Sequence, residues 1–297
     1  MGKILLLGGS GMVGNNIINH ELYRKWEFVH PNSKELDLTN FNATSEYINK
    51  LNPYFIINAA GHVGGIYDNM SNQVDFLITN MDIGRNVVIA AYQSGVKKLL
   101  NLGASCMYPK NFINPLKEEM ILQGDLEPTN EGYALAKIMT ARLCQYINNE
   151  SSIFQYKTMI PCNVYGRYDN FDNKKSHIVS AIIKKLHYAI VNNESHVEIW
   201  GNGKAKRELM YAEDLADAIY YAIDNFNKMP DLLNIGTGYD NSVNEIYSIA
   251  AKVMNFQGIF THNLNMPVGM LQKLVSIERQ TAWGWKPKTK LYDGIRK

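Results

Sequence analysis

The sequence predicts an α/β fold, a doubly wound parallel sheet with a smaller, discontinuous C-terminal region. Short apolar runs of a strand's length alternate with helical stretches, which is the pattern of βαβ units. The first run leads straight into the glycine-rich turn Gly8-Gly9-Ser10-Gly11-Met12-Val13-Gly14. Past Tyr165 the alternation loosens into turns rich in Asn, Asp and Gly.

In chain order, Lys3 to Leu7 reads as a buried strand and Met12 to Tyr23 as the helix that follows. Trp26 to His30 is expected to form a second strand. Tyr54 to Asn58 and Lys98 to Leu102 are the next strands, separated by helices around Thr44 to Leu51 and Asp82 to Tyr92. Ala134 to Asn148 carries a long helical pattern, and Thr158 to Cys162 and Leu232 to Ile235 read as later strands. Turns at Arg167 to Lys175 and Gly201 to Lys206 mark the smaller region. The expected division is 1–164 with 211–236 for the sheet domain, and 165–210 with 237–297 for the rest. The Tyr133 helix and the Asp82 to Tyr92 helix are expected to pair with their copies in a homodimer.

Composition narrows the function classes. The 297 residues are 46% hydrophobic and 20% charged, an ordinary soluble balance with ample core. A net charge of +2 gives no reason to propose a nucleic-acid or membrane surface. Cys106, Cys144 and Cys162 have no metal-like spacing and suggest no disulfide framework, so a reducing cytoplasm is expected and no metal. The run Ile4 to Leu7 is too short for a signal peptide or a membrane span.

Two motifs carry chemistry. Gly8, Gly11 and Gly14, with Ser10, Met12 and Val13 between them, follow a strand and open a helix, where glycines permit a tight turn and close approach to a pyrophosphate. The result is a Rossmann-type dinucleotide site with the G-x-x-G-x-x-G spacing of short-chain dehydrogenases. After the second strand, His30-Pro31-Asn32-Ser33-Lys34 offers no carboxylate until Glu35, so Ser33 and Lys34 favour NADP over NAD. Asp37 reads equally as an acceptor for a hydrogen bond from adenine and as a surface turn acid. In the second motif, Tyr133 and Lys137 lie four apart on one helix face, and the ammonium is expected to lower the phenol's pKa. A hydride from the dinucleotide and a proton from Tyr133 describe carbonyl reduction.

The chain resembles the GDP-L-fucose synthase (GDP-4-keto-6-deoxy-mannose 3,5-epimerase-4-reductase) family over nearly its full length. The resemblance rests on the glycine turn, on Ala59-Ala60-Gly61-His62-Val63-Gly64-Gly65-Ile66 and on Leu102-Gly103-Ala104-Ser105-Cys106-Met107-Tyr108-Pro109-Lys110. It continues through Leu126 to Glu131, Tyr133 to Lys137, Asn163 to Gly166, Asp169-Asn170-Phe171, Ser176-His177, Trp200-Gly201, Arg207-Glu208 and Asn234 to Gly238. It implies NADPH, a GDP-linked 4-keto-6-deoxy sugar, a substrate-binding role for the smaller region, and GDP-deoxysugar biosynthesis for surface glycans. It places further cofactor contacts at Ala59, Ala60, Gly61, Lys137, Pro161, Asn163, Val164 and His177. Substrate contacts fall at Asn163, Lys185, Trp200 and Arg207, with Lys185 standing where the family has an arginine. Cys106 and His177 match the family's acid/base pair for inverting carbons beside the ketone, which needs groups on opposite faces. C4 reduction with C3/C5 epimerisation and reduction fed by a separate epimerase both stay open.

The chain departs from the family in two places. Ala104 stands where a serine or threonine donates to the substrate carbonyl, and losing such a donor costs about 10²- to 10³-fold in rate. Neighbouring side chains alternate along a strand, so Ser105 is expected to point away from the face shared by Ala104 and Cys106 unless a bulge turns it to the site. In Pro267-Val268-Gly269-Met270-Leu271-Gln272-Lys273 the usual acid and arginine are replaced by Val268 and Gln272, which leaves a heptose or another 6-deoxy sugar as open as the fucose precursor. Two other readings are a non-catalytic NADP-binding regulatory protein, supported only by Ala104, and an NAD-retaining nucleotide-sugar epimerase. The Cys106/His177 pair and the missing acid after the second strand oppose the epimerase.

Overall fold

The computed structural model describes residues 2–172, 176–266 and 268–297. The last three residues of the Arg167 to Lys175 turn, and Pro267 of the substituted run, lie outside the described residues. Chain order runs β1 (Ile4–Leu7), α1 (Met12–Ile18), β2 (Phe28–Val29), α2 (Phe41–Leu51), β3 (Phe55–Asn58), α3 (Ile66–Ser71), α4 (Gln73–Gln93), β4 (Lys98–Leu102), α5 (Glu131–Glu150) and β5 (Gln155–Pro161). It continues with β6 (Asn163–Tyr165), α6 (Ile178–Val191), β7 (His196–Trp200), β8 (Lys206–Arg207), β9 (Leu209–Tyr211), α7 (Ala212–Asn225) and β10 (Leu232–Ile235). Finally come β11 (Asn241–Ser242), α8 (Val243–Met254), β12 (Ile259–Asn263), β13 (Gln272–Lys273), α9 (Glu278–Trp283) and α10 (Leu291–Arg296).

Six strands form one parallel sheet in the order β10-β5-β4-β3-β1-β2. Every residue of β1 and β3 is buried, because helices cover both faces of a doubly wound sheet. Two apolar cores, one including Leu6, Ile57 and Leu100 and the other Leu5, Ile56 and Leu99, follow from alternation along these strands. The chain leaves β1 for β2 on one side and returns to β3 on the other, so the turns after β1 and β3 flank the switch point where such sheets bind ligands.

Beyond β5 the chain builds a third core, with Ile182, Leu186, Ile199, Ile246 and Ala250 at its centre. Its sheets are small: β6 with β9, β7 with β12, and β11-β8-β13. Buried Glu208, between β8 and β9, joins this region to the large sheet. Its carboxylate accepts hydrogen bonds from the backbone N–H groups of Thr237, Gly238 and Val275 at 2.6, 2.9 and 2.8 Å.

The predicted elements recur with shifted ends. The helix expected from Met12 to Tyr23 stops at Ile18, and His20 caps a separate 3₁₀ turn, Glu21–Lys25, by accepting from Leu22 N–H at 3.2 Å. The Trp26 to His30 strand shrinks to two half-buried residues at the sheet edge. One strand prediction fails with consequences for chemistry. β4 ends at Leu102, and Ser105–Met107 is a 3₁₀ turn closed by Met107 N–H to the Ala104 carbonyl at 3.1 Å.

Candidate active site

One cavity of about 1310 Å³ opens across the carboxyl ends of the sheet and the smaller region. Gly8, Ser10, Gly11, Met12, Val13 and Gly14 from the first turn line it, with Ser33 and Asp37 beyond β2 and Ala59, Ala60 and Gly61 after β3. Ser105, Cys106, Tyr133, Lys137, Pro161, Asn163, Val164, His177, Lys185, Trp200 and Arg207 line the same space. Cofactor and substrate candidates from well-separated parts of the sequence therefore meet in one chamber.

At the glycine turn, the close approach is measurable. A Cβ on Gly14 would meet the Gly8 carbonyl oxygen at 2.2 Å, and Gly8 has φ +84 with its backbone against Ala59. A Cβ on Gly11, by contrast, would find only the Gly8 oxygen at 3.5 Å, so this position fronts open space. Gly11 also caps α1 without a side chain to occupy the helix N–H groups. Glu35, the nearest carboxylate after β2, accepts from Asn32 N–H at 2.8 Å. Asp37 accepts from the Thr39 hydroxyl at 2.7 Å and its N–H at 2.9 Å, bonds that hold its carboxyl below the usual range. Both acids of this segment are thus engaged locally, and Ser33 beside them is exposed.

The Tyr133/Lys137 pair is adjacent on one helix face, as the spacing suggested. Lys137 is buried, and its Nζ donates to the backbone oxygens of Leu102 at 3.0 Å and Ala60 at 3.5 Å. It stands 5.7 Å from the Tyr133 ring centroid, over the ring. Burial pushes the phenol well above the ordinary tyrosine value, and neighbouring Cys106 adds to the rise, so the expected lowering does not hold. The ammonium is directed at the carbonyls closing the sheet end. Phe76 packs edge-on to the Tyr133 ring at 6.5 Å and fixes its orientation.

Burial brings Lys137 down to about 8, against an opposing pull from Cys106. An unfolded lysine titrates near 10.4. Below pH 8 both states are protonated and the folded protein carries the full cost of a buried ammonium. Between 8 and 10.5 the unfolded chain binds the extra proton, so stability rises with pH. At ~1.4 kcal/mol per pH unit, wild type should gain roughly 3 kcal/mol over that window relative to Lys137→Met. Denaturant unfolding of both proteins at pH 7 and 10.5 checks this. A constant difference would show that the ammonium carries no burial cost.

Cys106 is buried on the 3₁₀ turn that follows Ala104. Burial raises its thiol, while the Lys273 and Lys137 ammoniums oppose the rise in that order. Because 104–107 is a turn and not a strand, strand alternation does not govern these side chains, and Ala104, Ser105 and Cys106 all line the cavity. His177 caps α6 with its Nδ1 3.5 Å from Asp169 Oδ1.

At the far end, Lys185 sits 4.9 Å from the Trp200 ring centroid and donates to the Glu198 carbonyl at 3.0 Å. Tyr67 meets the same indole edge-on at 5.6 Å. Arg207, placed by the resemblance among the substrate contacts, is already engaged by backbone carbonyls. Nη1 donates to the Lys206 and Met270 carbonyls, both at 2.7 Å, and Nη2 to the Val268 carbonyl at 2.9 Å. Much of its donor capacity therefore holds the 268–270 loop across the cavity. Lys273, the register partner of Arg207 across β8 and β13, is half-buried at the wall, and desolvation there lowers its pKa. Sequence reasoning gave it no role, since an isolated lysine in a substituted run carries no signal of its own. Among the described residues, no group of three or more His, Cys, Asp or Glu could hold a metal ion.

The NAD dependent epimerase/dehydratase family model matches residues 4–236. The chain is 52% identical to the GDP-L-colitose synthase of Yersinia pseudotuberculosis, over 99% of this chain and 96% of that protein. It is 45% identical to a GDP-L-fucose synthase of Azorhizobium caulinodans, over 99% and 94%. Among solved structures, a GDP-mannoheptose C4 reductase from Campylobacter jejuni with NADP bound aligns at TM-score 0.89 and 31% identity, covering 99% of this chain and 96% of that one.

Proposed function

We propose, on the premise that this chain belongs to the NAD dependent epimerase/dehydratase family and within it to the GDP-L-fucose synthases, that it reduces the C4 ketone of a GDP-linked 4-keto-6-deoxy sugar with NADPH and epimerises C3 or C5 beside it. The observation that carries this reading is the convergence of the glycine turn, Tyr133 with Lys137, and Cys106 with His177 on one cavity. The Azorhizobium GDP-L-fucose synthase and the NADP-bound heptose reductase support both the sugar-nucleotide class and the cofactor. The sugar is a hexose or a heptose, and the product is a GDP-deoxysugar suited to surface-glycan synthesis.

The cavity fits NADPH. Gly8, Gly11 and Gly14 would hold its pyrophosphate, Ser33 its 2′-phosphate end, and Lys137 its nicotinamide ribose. When bound, the cofactor supplies the hydride that reduces the ketone carbon. Tyr133 gives its proton to the resulting C4 oxygen, a step suited to a phenol that burial keeps neutral. Cys106 and His177 hold and move the protons at the carbons beside the ketone. Asn163, Lys185, Trp200 and Arg207 contact the GDP moiety, with Arg207 acting chiefly through the loop it binds. The sheet domain (1–164 with 211–236) binds the cofactor, and 165–210 with 237–297 covers the sugar nucleotide. Exposed Val74 and Ile78 on α4 and Leu135 and Tyr146 on α5 support a homodimer formed along these helices. We place the enzyme in the cytoplasm. Among the described residues no helix is long and apolar enough to cross a membrane.

The test is NADPH oxidation with GDP-4-keto-6-deoxy-mannose and with its heptose analogue, followed by NMR of the product. No oxidation with either sugar, despite NADPH binding, would sink the reductase reading. The turn that brings Ser105 to the cavity wall supports giving it the carbonyl-donor role that Ala104 cannot fill. Ser105→Ala should lower kcat by ~10²- to 10³-fold. A loss below a few-fold would leave that donor role to another group.

A further inference from the structure

Asp169 takes no part in the steps above, yet its carboxylate is buried against the His177 ring. Its side chain is 5% exposed, and Oδ1 stands 3.5 Å from His177 Nδ1. Oδ1 also accepts from Asn170 N–H at 2.7 Å, and Oδ2 accepts from the Ser180 hydroxyl at 3.0 Å. The same hydroxyl lies 3.0 Å from the His177 carbonyl oxygen, so carboxylate, serine and the histidine backbone form one closed cluster at the start of α6. Within the ring the two nitrogens differ. Nδ1 is shielded from solvent and makes no hydrogen bond, and the carboxylate at 3.5 Å faces it across ion-pair distance, although the side chain as a whole is 42% exposed. The accessible edge is therefore the Nε2 edge, and His177 lines the cavity.

The backbone that delivers Asp169 includes one costly conformation. Gly166 has φ +151 and Tyr168, a bulky non-glycine, has φ +69. Such a residue costs on the order of 1–3 kcal/mol and persists only where the surroundings enforce it. The Asn16 side chain enforces part of it by donating to the Arg167 carbonyl at 3.0 Å, which ties this loop to the first helix of the cofactor site.

We infer that Asp169 is the positioning residue for His177, fixing its ring with hydrogen on Nδ1 and Nε2 turned to the substrate. This rests on the proposed role of His177 in epimerisation. A neutral imidazole carries one donor and one acceptor nitrogen, and a carboxylate can only accept, so it selects the Nδ1–H form. When the substrate's enolate carbon takes a proton, the new C–H bond forms as Nε2–H breaks and the electron pair stays on Nε2. The ring is left as the neutral Nδ1–H species that Asp169 holds. Proton removal runs the same path in reverse. Without the carboxylate, the ring populates the Nε2–H form, which cannot accept a proton at the nitrogen facing the sugar.

The experiment follows deuterium entering C3 and C5 of GDP-4-keto-6-deoxy-mannose in D₂O with NADP⁺, so that no reduction intervenes. Wild type, Asp169→Asn, Ser180→Ala and His177→Gln are compared, and long-range ¹H–¹⁵N spectra report the tautomer of His177. Asp169→Asn should slow exchange by at least ~10²-fold through kcat, with KM little changed, and should move the ring to Nε2–H because an amide can donate to Nδ1. Ser180→Ala should give a smaller loss in the same direction. Exchange within a few-fold of wild type in Asp169→Asn, with His177→Gln inactive, would overturn the proposal while leaving the acid/base reading intact. Exchange that survives in His177→Gln would overturn that reading and the proposal with it. A wild-type ring found as Nε2–H would overturn the proposal whether or not the Asp169 variant folds.

Discussion

Tyr133→Phe is expected to lower the kcat of NADPH oxidation with a GDP-4-keto-6-deoxy sugar by about 10²- to 10⁴-fold, the range a general acid contributes. The substitution removes one oxygen and keeps the ring. Its edge contact with Phe76 at 6.5 Å and the Lys137 ammonium over its face are both retained. The loss therefore reports the proton and not the fold. Because burial raises this phenol far from neutrality, it stays protonated across the usable pH range and serves as donor without a phenolate limb in the rate profile. Stopped-flow NADPH oxidation measures kcat, and cofactor fluorescence verifies that binding persists. A variant retaining more than about a tenth of wild-type turnover would remove Tyr133 from the proton-transfer step.

Cys106→Ala should abolish deuterium incorporation beside the ketone, again a loss of ~10²- to 10⁴-fold. Burial lifts the thiol above its ordinary value while Lys273 and Lys137 pull against it, so at neutral pH the folded protein carries the thiol form. A thiol that removes a carbon-bound proton must first ionise, and below its pKa the thiolate fraction grows about tenfold per pH unit. Wild-type exchange should therefore climb from pH 7 towards 9, and that limb should vanish with the sulfur. Exchange that is flat with pH in wild type and intact in Cys106→Ala would assign the proton to another group. The measurement is NMR of the recovered sugar nucleotide across that range, under NADP⁺.

The parallel sheet, the glycine turn and the helix bearing Tyr133 and Lys137 were legible because each rests on local periodicity. Apolar runs at β1 and β3 bury on both faces, and residues four apart share a helix face whatever surrounds them. Where local pattern was extended to chemistry, it misled. The four-residue spacing rightly put Lys137 beside Tyr133, but burial outweighs the expected lowering of the phenol, and the ammonium donates to carbonyls of Ala60 and Leu102, remote in sequence. A strand reading turned Ser105 away, whereas the chain leaves β4 at Leu102 and coils. The resemblance put Arg207 among the substrate contacts, whereas its guanidinium also binds the 268–270 loop.

The sequence by itself thus determined the fold class, the dinucleotide turn and which residue types are available for proton transfer, since those depend on near neighbours and on side-chain chemistry. Only the tertiary structure decided where each charge is directed. It set Lys273 near Cys106, engaged the acids after β2, and buried Asp169 against His177. The reason is physical: electrostatic and hydrogen-bonding roles are set by distance and desolvation, and burial here brings together groups from β4, α5, α6 and β13 that no spacing rule connects.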